Sequence, residues 1–374
     1  MKKNLILILV LMLVVSSLAA CSSGDSDTIK IAIVAPFTGD FAEYGTGFKN
    51  AVELIAKEYN DAGGVLGKQI EVVSYDDKNS GEEAASIAER IVSNDSIVGV
   101  VGHFASGVSM AASPTYQEVG IVEISPSASH PDYSNEGDYI FRNNSLINVE
   151  AAETLEIASE VFDAKRVAIL SVKTDWGTST ANILINDLAS QYPNLEIVAH
   201  EEVVDGTVDF SPTVTALNAA KPDTIIVCSM YNILGPFTTQ YKDVDPEVNL
   251  VGFSNAYSEQ LIELAKEDAE GICLPAIFFH NSEDAQISNF VSSYEEAYGS
   301  VPSSLTAQAY DSMGMIIEAI KNGESTDRET IKNELFKISY DGVSGETVFN
   351  SNGDAQKTFN WLIIKDGQFI EYEE

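Results

Sequence analysis

Basic side chains are scarce. Lys and Arg number 21 against 57 Asp and Glu, a formal net charge of −36 over 374 residues. A chain this acidic is repelled by phosphate backbones and anionic headgroups, which makes nucleic acid a poor partner and leaves a solvated, solubilising surface as the plain reading. Histidine and cysteine are scarcer still, at four and three residues. His103, His130, His200 and His280 are scattered, and no Cys–His cluster or other metal-ligand spacing exists, so neither a metal nor a cofactor is implied. There is no Gly-rich P-loop, no G-x-G-x-x-G after a strand and no G-x-S-x-G elbow. An enzyme is therefore the weaker class. His103 and His130 lie near loops where acid–base chemistry could be placed, but ordinary hydrogen-bonded loop residues explain them as well.

Long apolar runs are also missing, with one exception. Leu5 to Val15 is almost unbroken, follows Met1-Lys2-Lys3-Asn4, and is short for a membrane span of ~20 residues. Leu18-Ala19-Ala20-Cys21 comes next, then Ser22-Ser23-Gly24-Asp25-Ser26. Small residues before a cysteine look like a bacterial lipobox. That implies a signal peptide over 1–20, lipidation at Cys21 and a tether over 21–28; simple cleavage beside an incidental cysteine is the alternative. Loss of the leader removes Lys2 and Lys3 and no acid, leaving 19 bases against 57 acids, or −38. Cys228 and Cys273 sit in apolar strand-like runs and read as buried free thiols. A disulfide would need their strands adjacent.

What is present is an alternation of strands and helices. Ile29–Val34 reads as a buried strand, followed by a helix over 45–60 with Phe48, Val52, Ile55 and Tyr59 at helical spacing and a stop at Gly63-Gly64. Strand 69–75, helix 82–93, strand 97–101, helix 106–118 and strand 121–125 continue the pattern. After a pause and a short strand at 139–142 it restarts, with helix 147–162, strand 166–172, helix 178–190, strand 195–204, helix 211–219, strand 224–230, helix 234–242, strand 249–253, helix 257–267 and strand 271–277. Three helices follow, near 283–298, 304–321 and 327–337, then strands at 345–349, 359–365 and 369–372. Ile- and Val-rich strands separated by crossover helices predict α/β architecture: two doubly wound lobes with parallel sheets covered on both faces.

In such sheets ligands bind beyond the strand carboxyl ends, beside helix N-termini. The loops after the third and fourth strands are dense in small hydroxyl residues. A carboxylate held by Ser106, Ser127 and Ser129 at the N-terminus of helix 106–118 is coherent, because free backbone N–H groups and the helix dipole favour an anion. Serines in such places also serve as plain N-caps. The second half offers Trp176, Tyr231 and Tyr257 on corresponding loops, either covering an apolar ligand or packing on their own lobe.

The stretches Pro36-Phe37-Thr38-Gly39, Asn60-Asp61-Ala62-Gly63-Gly64, Tyr75-Asp76-Asp77, Gly102-His103, Ser125-Pro126-Ser127-Ala128-Ser129 and Asn352-Gly353-Asp354 resemble, in order, the branched-chain amino acid (leucine/isoleucine/valine) binding proteins. These are type I periplasmic binding proteins of ABC transporters. The resemblance runs from about Ile29 to the C-terminus. It implies a flytrap of two lobes, 29–144 plus 278–350 and 145–277 plus 351–374, joined by three crossings near 143–146, 274–278 and 349–357. It implies a monomeric binding protein without catalytic activity, lipid-anchored at the outer face of the cytoplasmic membrane and delivering its ligand to ABC permease subunits. By matched position, Ser106 and Ser129 would bind an α-carboxylate. Ser127 would contribute backbone groups, its carbonyl toward the α-ammonium, and Tyr44, Phe104, Trp176 and Tyr231 would line the side-chain pocket. One departure stands out. The acid that the family places after the strand matching 249–253 is replaced by Ser254, or by Asn255 one residue on. A buried ammonium without a counter-ion is costly. Either another acid serves, or the ligand is a short amide, keto acid or aromatic acid. A sensor that presents its ligand to a membrane receptor, and a scaffold with no small ligand, are the remaining classes.

Overall fold

The computed structural model describes residues 28–373. The leader and Cys21 lie outside the described residues, and Thr28, read as the end of the tether, opens the first strand.

The first sheet contains β1 (Thr28–Ala35), β2 (Gln69–Asp76), β3 (Ile97–Gly102), β4 (Val122–Ser125) and β5 (Ile140–Arg142), all parallel, in the order β2-β1-β3-β4-β5. Helices α1 (Ala42–Asp61), α2 (Gly81–Val92) and α3 (Ser106–Val119) are the crossovers. All six residues of β3 are buried, as in a strand covered on both faces. On α1 the buried residues include Tyr44, Phe48, Ala51, Val52 and Ile55, a stripe at the 3.6-residue period that faces the sheet. The chain leaves α1 through Gly64, with φ of 80° and so little room that a Cβ would meet the Lys68 carbonyl oxygen at 2.1 Å.

The second sheet repeats this winding. It uses β6 (Arg166–Val172), β7 (Glu196–Val203), β8 (Thr224–Cys228), β9 (Asn249–Val251) and β10 (Cys273–Ala276), again parallel, in the order β7-β6-β8-β9-β10. The intervening helices are α4 (Ile147–Glu160), α5 (Asp175–Asn182), α6 (Ser211–Ala219), α7 (Tyr231–Lys242) and α8 (Glu259–Ala265). The single helix expected over 178–190 is instead α5 followed by a π-helical segment, Ile183–Leu188, and a 3-10 turn, Ala189–Gln191. Cys228 and Cys273 are free and buried, with β9 between the strands that carry them.

Three helices follow β10: α9 (Ala285–Tyr298), α10 (Ser304–Asn322) and α11 (Arg328–Leu335). Helix α10 packs on α1 and on β3, so this segment covers the first sheet. The strand expected at 345–349 comes next as β12 (Gly345–Val348), paired in a hairpin with β11 (Ser339–Gly342), which was not anticipated from the sequence. Its turn is held from a distance. The buried Asp311 carboxylate on α10 accepts the backbone N–H groups of Val343 at 3.0 Å and Ser344 at 2.7 Å. The tail then adds β13 (Asn360–Lys365) and β14 (Gln368–Glu371) antiparallel to the edge of the second sheet at β10.

The link from β5 to α4 lies against the segment that precedes β13. Arg142 donates its backbone N–H to the Gly353 carbonyl at 3.0 Å and accepts from Ala355 N–H at 3.2 Å. Its side chain is fully buried. Nε donates to Asp354 Oδ1 at 2.7 Å, and the remaining nitrogens reach the carbonyls of Ala128 and His130 and the Ser134 hydroxyl. Removing one partner of a buried, hydrogen-bonded ion pair strands the other charge. Arg142→Met is therefore expected to destabilise the protein by about 3–5 kcal/mol, read from equilibrium urea unfolding.

Candidate functional site

Both sheets direct the carboxyl ends of their parallel strands toward one crevice, where open α/β sheets place ligands. A cavity of about 490 Å³ lies there, lined by residues that follow each of β1 to β9. A second cavity of about 660 Å³ borders α1 and α8, away from most of these strand ends, and its wall includes Glu43, Glu259, Glu263 and His280.

Seven of the nine sequence-predicted residues line the first cavity: Phe104, Ser106, Ser127, Ser129, Trp176, Ser254 and Asn255. Ser106 is the first residue of α3 and is buried. Its hydroxyl oxygen accepts the backbone N–H groups of Ser129 at 3.2 Å and His130 at 3.4 Å, which leaves its own proton to donate. Gly107 beside it lets the Asp175 carboxylate approach closely, since a Cβ there would meet Asp175 Oδ2 at 2.5 Å. Trp176 Nε1–H donates to Ser129 Oγ at 3.0 Å, so a ring borne after β6 meets a hydroxyl borne after β4. The same ring packs edge-on against Phe253, with centroids 5.5 Å apart. Trp176 is the second residue of α5 rather than a loop residue. Ser127 donates from its hydroxyl to the Phe104 carbonyl at 2.6 Å, and its own carbonyl accepts Asn144 Nδ2–H at 2.9 Å. The Ser127 carbonyl expected to face an ammonium is thus already engaged by a neighbour.

Tyr44 and Tyr231 stand behind the wall rather than in it. Tyr44 stacks on Phe104 at 4.8 Å and donates to the Asn255 carbonyl at 3.0 Å, and it borders the second cavity. Tyr231 begins α7, its ring is 5.7 Å from that of Tyr44, and its hydroxyl donates to the Glu43 carboxylate. Met230, Asn232 and Ile233 occupy the cavity wall at this point of the chain. His103 is buried elsewhere, with Nδ1 2.7 Å from Asp77 Oδ2 and Nε2 3.3 Å from the Tyr116 hydroxyl.

Glu150 lines the cavity and was not anticipated. It lies in the first turn of α4, buried, on the stripe Ile147, Glu150, Ala151, Thr154, Leu155, Ala158 that packs inward. An acid on an otherwise uncharged inward stripe is the signal that could have revealed it. Oε1 accepts the Ser254 backbone N–H at 2.6 Å. Burial pushes the Glu150 carboxyl up to about 7, with the hydrogen bonds from Ser254 opposing and the Glu153 charge adding to the rise. Asp175 and Asp205 also line the cavity, and no Lys, Arg or His does. The buried Oδ1 atoms of Asn79 and Asn255, on the same wall, have no hydrogen-bond partner among the described residues. The walls thus combine neutral hydroxyl donors, an aromatic and aliphatic middle, and acceptors around Glu150. Among the described residues no group of His, Cys, Asp and Glu is placed to hold a metal ion, and no helix is long and apolar enough to cross a membrane.

Two similarly wound parallel sheets facing one crevice define a solute-binding protein of the type I periplasmic binding fold. The family model described as periplasmic binding protein matches residues 28–368, and the chain belongs to that family, whose members bind solutes and are not enzymes. The leucine-, isoleucine-, valine-, threonine- and alanine-binding protein of Pseudomonas aeruginosa is 26% identical over 91% of this chain and 90% of its own length. Among solved structures, the branched-chain amino acid transporter substrate-binding protein of Streptococcus pneumoniae, in complex with isoleucine, is 29% identical. It superposes with a TM-score of 0.84, covering 92% of this chain and 100% of that one. The solute-binding protein of an ABC transporter from Rhodopseudomonas palustris, in complex with 3,4-dihydroxybenzoic acid, has a TM-score of 0.85 at 22% identity, covering 93% and 97%, a likeness of fold.

The raised Glu150 carboxyl has a consequence for the ligand-free protein. An acid with a folded pKa near 7 against an unfolded value of 4.5 contributes stability that is full below 4.5 and lost as pH rises through about 7. Urea midpoints of the ligand-free protein are expected to fall across this window, and Glu150→Gln is expected to remove that component of the fall.

Proposed function

We propose that this chain is the extracytoplasmic substrate-binding lipoprotein of an ABC importer, capturing a small amino-acid-like molecule between two lobes and passing it to the permease. The lobes are 29–144 plus 278–350 and 145–277 plus 351–374, and Cys21 carries the lipid. The observation that carries the reading is the convergence of Ser106, Ser127 and Ser129 from one sheet with Trp176 from the other on a single cavity at the strand ends. The relatives named for leucine, isoleucine and valine support a ligand of that kind. In this reading the serine hydroxyls and the start of α3 hold the carboxylate, while Phe104, Trp176 and Met230 cover the apolar body.

A thermal-shift screen over amino acids, short amides, keto acids and aromatic acids tests the reading and identifies the ligand. A true ligand at a hundredfold excess over Kd adds ~2.7 kcal/mol. A flat response across the panel would leave the scaffold class standing. Replacing Ser106 and Ser129 together by Ala is expected to weaken binding by several kcal/mol, each hydrogen bond to a charged group being worth ~1.5–3 kcal/mol; calorimetric titration with the identified ligand checks this. Cys21→Ala is expected to move the protein out of the detergent phase on phase partitioning of cell extracts; unchanged partitioning would remove the lipid anchor.

A further inference from the structure

The cavity has a polarity that the carboxylate site alone does not explain. Its acidic lining residues are Glu150, Asp175 and Asp205, and no basic side chain faces them. Asp175 is exposed, whereas Glu150 is 2% exposed. Glu150 is also tied to the serine site by the backbone. The first residue of α4, Ile147, donates its N–H to the Ser129 carbonyl at 3.0 Å, and Glu150 follows three residues later in the same turn. The serine that would grip a carboxylate and the buried acid are thereby held at a fixed offset along one wall. The Ser254 N–H fixes Oε1 at 2.6 Å, which orients the carboxylate without neutralising it. The Asn255 and Asn79 side-chain oxygens are two further acceptors, both buried and unpartnered among the described residues.

A buried carboxylate with no cation beside it is unfavourable unless it shares its charge or takes up a proton. A primary ammonium offers three N–H donors on one positive centre and would satisfy a carboxylate and nearby amide oxygens together. Neither a keto acid nor an aromatic acid carries such a group, and each would bring a second anion toward Glu150. We propose that Glu150 is the receptor for the ligand's ammonium group and the residue that restricts this site to α-amino acids over their deaminated counterparts. The proposal rests on the reading above that Ser106 and Ser129 hold the anionic end.

The test pairs ligands that differ only in this group. Isothermal titration compares L-leucine, L-isoleucine, L-valine and L-phenylalanine with their 2-oxo acids, and with benzoate, on the unaltered protein and on Glu150→Gln. At least one amino acid is expected to bind the unaltered protein, preferred over its 2-oxo acid by ~100-fold or more, as for loss of one member of a buried charge pair. Glu150→Gln is expected to erase that preference by weakening the amino acid and leaving the 2-oxo acid within a few fold. Equal or tighter binding of a 2-oxo acid or benzoate by the unaltered protein would overturn the proposal. So would unchanged amino-acid affinity in a folded Glu150→Gln protein. Should that variant fail to fold, the ligand pairs on the unaltered protein still decide. The Ser106→Ala/Ser129→Ala protein separates the two levels. If it keeps full affinity for the amino acid, the carboxylate reading falls first. If it loses amino acid and 2-oxo acid alike while the unaltered protein does not discriminate between them, only the role of Glu150 falls.

Discussion

A parallel strand cannot be followed directly by its neighbour. The chain must cross back to the starting edge, and each strand therefore delivers its next loop to the same side of the sheet. In this protein that constraint operates twice, in the orders β2-β1-β3-β4-β5 and β7-β6-β8-β9-β10. Two sets of loops, including the starts of α3, α5 and α7, then face each other across a gap. The site needs no dedicated element: the residues that follow β3, β4, β6, β8 and β9 arrive in it because their strands end there. Ser106 and Trp176 are far apart in the chain but occupy comparable positions, each opening or nearly opening the helix after a strand.

The electrostatics follow a consistent logic. The chain as a whole carries 57 acids against 21 bases, and the site has no cationic side chain with which to attract an anion. In the proposed reading a carboxylate is held by neutral hydroxyls and a helix start, groups that work at short range and discriminate by geometry. The acids that share the cavity with them, Glu150, Asp175 and Asp205, disfavour any ligand that is anionic throughout. Under that proposal, selectivity for a molecule carrying both signs arises as much from what the acids repel as from what they hold.

Much of this was legible from the residues. Ile- and Val-rich runs such as 97–101 mark strands buried on both faces, and the apolar stripe of α1 with its glycine stop marks a crossover helix. The hydroxyl-rich loops after β3 and β4, and Trp176 after β6, can be placed at the strand ends once the winding is understood. What escaped depends on contacts between distant parts of the chain. Strand β11 escaped because its turn into β12 is held by Asp311 on helix α10, a bond between residues about thirty apart that no local pattern encodes. Tyr44 and Tyr231 have the right chemistry and the right address, yet Tyr231 begins a helix and hydrogen-bonds Glu43, so Phe104 and Met230 take the inner positions. Glu150 sits on a helix that reads as an ordinary crossover, and only its place on the inward stripe distinguishes it.

Among the described residues, the polar contacts across the crevice include Trp176 to Ser129, Tyr44 to the Asn255 carbonyl, and both Tyr231 and Ser258 to Glu43. Each can be exchanged for bonds to water at a net cost of about 0.5–3 kcal/mol, the bonds to the Glu43 carboxylate at the upper end. An occupant of the crevice that bonds to both sides can therefore contribute as much to holding them together as these contacts do.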